Sequence, residues 1–176
     1  MGMAITALVF LVIAKGWQWW GNVPLLAWSW QPALAALGVG LGCAISLASL
    51  GLYFVWPAYR ASAESYLNLV LRPLELADLV WLGLLPGLSE ELLFRGVMLP
   101  SFGSGAIAVL LSGASFGVLH MSGRSQWPYA VWATLVGIFL GAIALLTGNL
   151  LVPVATHVTA NLVSALFWKL RQSPGV

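Results

Sequence analysis

Two carboxylates and a guanidinium stand within six residues, Glu90-Glu91-Leu92-Leu93-Phe94-Arg95, with almost purely apolar sequence on both sides. The imidazoles of His120 and His157 and the amide of Asn161 fall in two later apolar runs. Carboxylates and imidazoles are the groups that take up and return protons during hydrolysis, and imidazole or amide N–H groups donate to a developing oxyanion. Inside a bilayer such groups are expensive. An Asp, Lys or Arg at the centre of a spanning helix costs about 2.5 to 3.5 kcal/mol, so a cluster of this kind needs a function or a strong packing reason.

Spacing assigns the groups to helix faces. Glu91 and Arg95 are four apart with the acid first, the favourable order for a pair on one face. Glu90 is turned about 100° from Glu91 and is free to meet another neighbour. His157 and Asn161 are also four apart, so both can donate to one small target. Phe116 precedes His120 by four, which sets a ring beside that imidazole. Taken singly, an intramembrane His or Asn more often bridges helices, and a Glu-Arg pair at this spacing can be pure architecture. Convergence of a carboxylate, two imidazoles and an amide in so apolar a chain favours a hydrolytic site inside a membrane.

The elements that carry these groups follow from composition. The 176 residues are 61% hydrophobic and only 7% charged, whereas a soluble domain carries about 25% charge. This predicts an all-α polytopic membrane protein with about six transmembrane helices over 3–20, 31–56, 77–98, 105–121, 127–147 and 150–168, four of them forming a catalytic core. The N-terminal run lacks a basic segment ahead of it, since Lys15 follows it, so it reads as a retained span, with Trp17, Trp19 and Trp20 at its interfacial end. Between the second and third spans Tyr59, Tyr66, Leu67, Val70, Leu71 and Leu74 oppose Arg60, Glu64 and Asn68, the pattern of an interfacial helix with Arg60 and Glu64 as a surface pair. Three pairs at GxxxG spacing, Gly38/Gly42, Gly113/Gly117 and Gly137/Gly141, predict close helix packing within the chain. Pro86-Gly87 predicts a kink, with Ser89 capping the turn that bears the glutamates.

Basic residues are scattered singly, so they serve as topology determinants and nucleic acid is not an expected partner. Arg60, Arg72, Arg124, Lys169 and Arg171 gather on one side against Lys15, which places both termini in the cytoplasm. The single Cys43 allows no intrachain disulfide and no cysteine zinc cluster. One conflict stands: with six simple spans, Glu90 and His157 lie nearer one membrane face and His120 nearer the other.

The ordered motifs EExxxR at 90–95, FxxxH at 116–120 and HxxxN at 157–161 resemble those of the CPBP family of intramembrane glutamic endopeptidases, of the CAAX-protease and bacteriocin-processing type. The resemblance covers roughly 77–170, giving a division into N-terminal spans with the interfacial helix (1–76), a catalytic helical core (77–170) and a polar tail (171–176). It implies a peptidase that needs neither metal nor cofactor, with Glu90 as general base, His120 assisting, His157 and Asn161 stabilising the oxyanion, and Glu91, Arg95 and Phe116 in support. The implied partners are the lipid bilayer and a peptide or protein substrate that is membrane-associated, with prenylation following from the family alone.

Two rivals compete. In the first, Glu90, His120 and His157 form the His2Glu set of a catalytic zinc; no HExxH is present, and Glu91, tied to Arg95, would be the only base left. In the second the same groups serve a small transporter, an immunity protein or a membrane scaffold without catalysis. Transporters are commonly built on internal repeats, and the sequence has none.

Overall fold

The computed structural model describes residues 2–172, and among them every regular element is helical. Seven helices follow in order: α1 (Gly2–Gly21), α2 (Pro32–Val55), α3 (Pro57–Leu71), α4 (Leu79–Glu91), α5 (Ala106–Leu119), α6 (Trp127–Thr147) and α7 (Leu151–Gln172). Helix α4 continues without a break through a π segment, Leu92–Met98, and a last turn, Leu99–Ser101. Prolines open α2 and α3, where a missing N–H costs nothing, and Gly148 closes α6 in the left-handed conformation at φ 59°. The predicted polar tail lies, from residue 173 on, outside the described residues.

Helices stand at all six predicted span positions. Four of them, α1, α2, α6 with the turn before it, and α7, are long and apolar enough to cross a bilayer. The third position is the composite run from Leu79 to Ser101, which carries the charges. The fourth, α5, has 14 residues and so is about 21 Å long, short of a hydrocarbon core of about 30 Å. The chain is an integral membrane protein, with Ile5, Leu8 and Val12 among many large apolar side chains turned outward.

Small residues set how the helices meet. Helix α2 lies parallel to α7, and a methyl at Gly38 would stand 2.8 Å from the Val152 carbonyl, one at Gly42 2.6 Å from the Thr156 carbonyl. Helices α5 and α6 are antiparallel, with Gly113 against the Ile138 backbone and Gly117 against Ala130 and Thr134. The predicted glycine pairs therefore close intramolecular contacts, where backbone approach replaces the hydrophobic driving force that lipid removes. A fourth pair, Gly83 and Gly87, packs α4 antiparallel to α7 against Leu162 and Val158.

Two local predictions are corrected. The helix runs through Pro86-Gly87, and Ser89 does not cap it: its hydroxyl donates back to the Leu85 carbonyl at 2.7 Å. A further irregularity falls just after Glu91, in the π segment, two of whose carbonyls accept from other parts of the chain. Gly96 O accepts from Leu26 N at 3.3 Å and Phe94 O from the Ser112 hydroxyl at 2.9 Å. On α3, Arg60 and Glu64 do not pair with each other. Glu64 accepts the Tyr53 hydroxyl, and the Arg60 guanidinium lies 5.9 Å from the Tyr53 ring centre. The predicted inward face of α3 holds, with Tyr59 and Leu71 buried and Tyr66 and Leu67 half-buried.

An extended segment, residues 23–31, ties α4 to the start of α7. Leu26 donates to Gly96, the Ala27 carbonyl accepts from Leu150 N at 2.9 Å, and the buried Asn149 amide donates to Ser29 O at 2.8 Å. Helix α7 consequently begins beside Gly96, five residues inside the end of the composite run.

Candidate active site

Antiparallel packing of α4 on α7 brings the first acidic motif against the first residue of the last motif. Glu91 is fully buried, and its Oε1 accepts from Arg95 Nη1 at 2.8 Å and from His157 Nδ1 at 2.7 Å. A carboxylate only accepts, so Nδ1 carries the proton and the ring is turned with Nε2 on the side of Glu90. Glu90 Oε2 lies 4.0 Å from that nitrogen.

Arg95 makes the buried acid tolerable. Its Nη2 donates to the Gly137 carbonyl on α6 at 2.8 Å, and its guanidinium carbon lies 4.5 Å from the Phe116 ring centre. A planar, weakly hydrated cation of this kind combines ion pairing with ring stacking. Pair and ring together tie α4 to α5 and α6, at full burial of both charges. Not every polar atom is used: the acceptors Glu90 Oε2 and Glu91 Oε2 and the donor Arg95 Nε–H have no hydrogen-bond partner among the described residues.

His120 closes the C-terminus of α5. Its Nδ1 is 2.8 Å from the Phe116 carbonyl, which fixes the proton on that nitrogen and leaves Nε2 as an acceptor. The Phe116 ring centre lies 4.6 Å from that of His120 and 5.7 Å from that of His157, so it neighbours both imidazoles. Asn161 follows His157 by one turn, half-buried, and its amide makes no hydrogen bond among the described residues.

Glu90, His120, His157 and Asn161 all line one cavity of about 800 Å³, with Tyr66 and Tyr129 on its wall. The conflict of depth disappears for three reasons. Helix α4 continues to Ser101, so the glutamates are mid-run; α7 starts recessed at Gly96; and α5 is only 14 residues long, so His120 at its end reaches the same cavity.

Spacing had indicated the Glu91–Arg95 pair but not its third member, His157. Nor did it indicate Tyr66 and Tyr129, whose rings stack at 4.6 Å beside His120. No local signal links residues 66 and 129 apart from aromaticity. The Gly83/Gly87 pair, by contrast, was visible at the same spacing as the other three. Among the described residues no three His, Cys, Asp or Glu side chains converge as metal ligands.

A family model described as type II CAAX prenyl endopeptidase Rce1-like matches residues 72–163, the stretch holding Glu90, His120, His157 and Asn161. The chain is also 26% identical over 128 residues to an uncharacterized protein, YpbD, of Bacillus subtilis (strain 168), covering 73% of this chain and 65% of that protein. No solved structure matches the chain. With just over half its length matched, the chain belongs to the Rce1-like family of type II CAAX prenyl endopeptidases.

Proposed function

We propose that the protein is an intramembrane endopeptidase in which helices α4 to α7 form the catalytic core and Glu90 activates water. The observation that carries this reading is His157 held between two carboxylates, bonded to Glu91 at 2.7 Å and 4.0 Å from Glu90, at the wall of a cavity. Two acceptors 4.0 Å apart can share one water at about 2.8 Å from each. Glu90 takes the proton of that water as it attacks the peptide carbonyl, and His120, which lines the same cavity, assists through Nε2. Negative charge then develops on the carbonyl oxygen. Glu90 passes the water's proton to His157 Nε2, 4.0 Å away. The imidazolium, balanced by Glu91, donates to the oxyanion together with the Asn161 amide. It then gives that proton to the amide nitrogen, so that the C–N bond breaks and the amine leaves.

Every step uses the chain's own residues. Glu91, engaged by Arg95 and His157, is held in place as the orienting acid. The substrate is a peptide or protein bound at the membrane, hydrophobic or lipid-bearing. A CAAX-type chain end fits the family description and an apolar cavity wall that includes Leu47, Leu50 and Phe167.

Cleavage of a candidate peptide by purified protein in detergent or nanodiscs tests the reading. Glu90→Gln is expected to lower kcat by about 10²- to 10⁴-fold, the span of general-base contributions. Loss of the Asn161 donor in Asn161→Ala is expected to cost about 10²- to 10³-fold. A Glu90→Gln protein cleaving at the wild-type rate rules the mechanism out. The same variant should enrich bound polypeptides detectable by mass spectrometry, and enrichment of none favours a scaffold.

A further inference from the structure

The family match begins at residue 72, yet the cavity wall includes a residue from the preceding helix. Tyr66 lies on α3, the interfacial helix packed across α2, α6 and α7. Its ring is stacked on Tyr129 of α6 at 4.6 Å, with an interplanar angle of 24°. The same ring lies 6.3 Å from the His120 imidazole, and Tyr129 lies 6.1 Å from it. With Phe116 at 4.6 Å, three aromatic rings neighbour His120. Burial first, and then the field of Glu90, push the Tyr66 phenol up to about 12, so the ring is uncharged.

We propose that Tyr66 is a positioning residue of the active site: its ring, stacked on Tyr129, holds the His120 imidazole so that Nδ1–H stays on Phe116 and Nε2 serves the cavity. This rests on the reading of His120 as a participant in catalysis. The need for a clamp follows from where His120 sits. It is the cap of α5, followed at once by the irregular residues 121–123, and a single hydrogen bond, to Phe116 O, holds its ring. One bond leaves the imidazole free to swing about it, whereas the stacked pair of tyrosine rings beside it and the Phe116 ring restrict that freedom. The groups facing His120 are Phe116 from its own helix, Tyr66 from α3 and Tyr129 from α6, and Glu90 from α4 and His157 from α7 share its cavity. Only the ring of Tyr66 enters the argument, so phenylalanine should replace it.

With two histidines in the chain, ¹⁵N-histidine NMR of the full protein in detergent micelles reads the tautomer of each, His120→Gln providing the assignment. Wild type is expected to show His120 as a single Nδ1–H tautomer. Tyr66→Phe should keep that state and a near wild-type kcat, while Tyr66→Met, similar in volume but not aromatic, should give a mixed tautomer. In the peptide assay Tyr66→Met should lower kcat by about tenfold with KM little changed, as expected for a misplaced catalytic group. Three results overturn the proposal: a mixed tautomer in wild type, a Tyr66→Met variant with unaltered tautomer and kcat, or a Tyr66→Phe variant as impaired as Tyr66→Met. The wild-type spectrum decides even if Tyr66→Met fails to fold. The spectra also need no substrate, so a protein that cleaves nothing but shows these tautomers refutes the peptidase reading and leaves the clamp standing.

Discussion

Glu91, Arg95 and His157 form a chain of hydrogen bonds in which each member depends on the others. Removing the cation strands a buried carboxylate, which typically costs about 3 to 5 kcal/mol, whereas an apolar replacement of both partners costs much less. Arg95→Met is therefore expected to lower stability by that amount in a denaturation experiment. The double change Glu91→Gln with Arg95→Met should recover part of the loss. Equal stability of Arg95→Met and wild type would show that the pair is not buried as described. At this scale the sequence was informative about the buried Glu91–Arg95 pair, because i, i+4 spacing fixes a shared face, whereas the exposed Arg60 and Glu64 at the same spacing both turn to Tyr53. It was silent on Glu91 with His157, which are 66 residues apart. Neither their spacing nor their types required the second glutamate, rather than the first, to take the imidazole.

Among elements, the junction of α4 and α7 controls the site, since Gly83 and Gly87 permit the approach that sets Glu91 on His157. A methyl at Gly87 would come within 2.5 Å of Val158 Cγ2, and one at Gly83 within 2.7 Å of Leu162. Gly87→Leu is expected to push the helices apart, destabilise the fold by about 1 to 3 kcal/mol as overpacking does, and abolish cleavage. Gly40→Leu, with nothing within 4 Å of the added Cβ, is the control and should leave both unchanged. Thermal unfolding followed with the activity assay checks the pair. Helix positions and the buried face of α3 were legible, because apolar run length and the 3.6-residue period determine them locally. The expected cap at Ser89 failed because a serine inside a continuing helix has the i−4 carbonyl within reach and no free N–H to accept from. The π segment gave no signal, since its widened turn exists through outside partners such as Leu26 and Ser112.

For the molecule as a whole, the membrane is both solvent and constraint. The excess of Arg60, Arg72, Arg124, Lys169 and Arg171 over Lys15 predicts that both termini are cytoplasmic. Reporter fusions at each terminus, one active only in the cytoplasm and one only outside it, check this; opposite signals at the two ends would refute it. The sequence by itself determined the solvent, the helical class, the family motifs and the set of groups able to do chemistry. Those properties are sums over composition or follow from spacings within one helix. Tertiary structure alone decided that Glu90, His120, His157 and Asn161 share a cavity, because their convergence depends on where helices stop. Helix α5 stops after 14 residues, α7 starts recessed beside Gly96, and segment 23–31 is hydrogen-bonded to Gly96 on one side and Leu150 on the other. Such offsets are fixed by contacts between distant residues, and no local pattern encodes them.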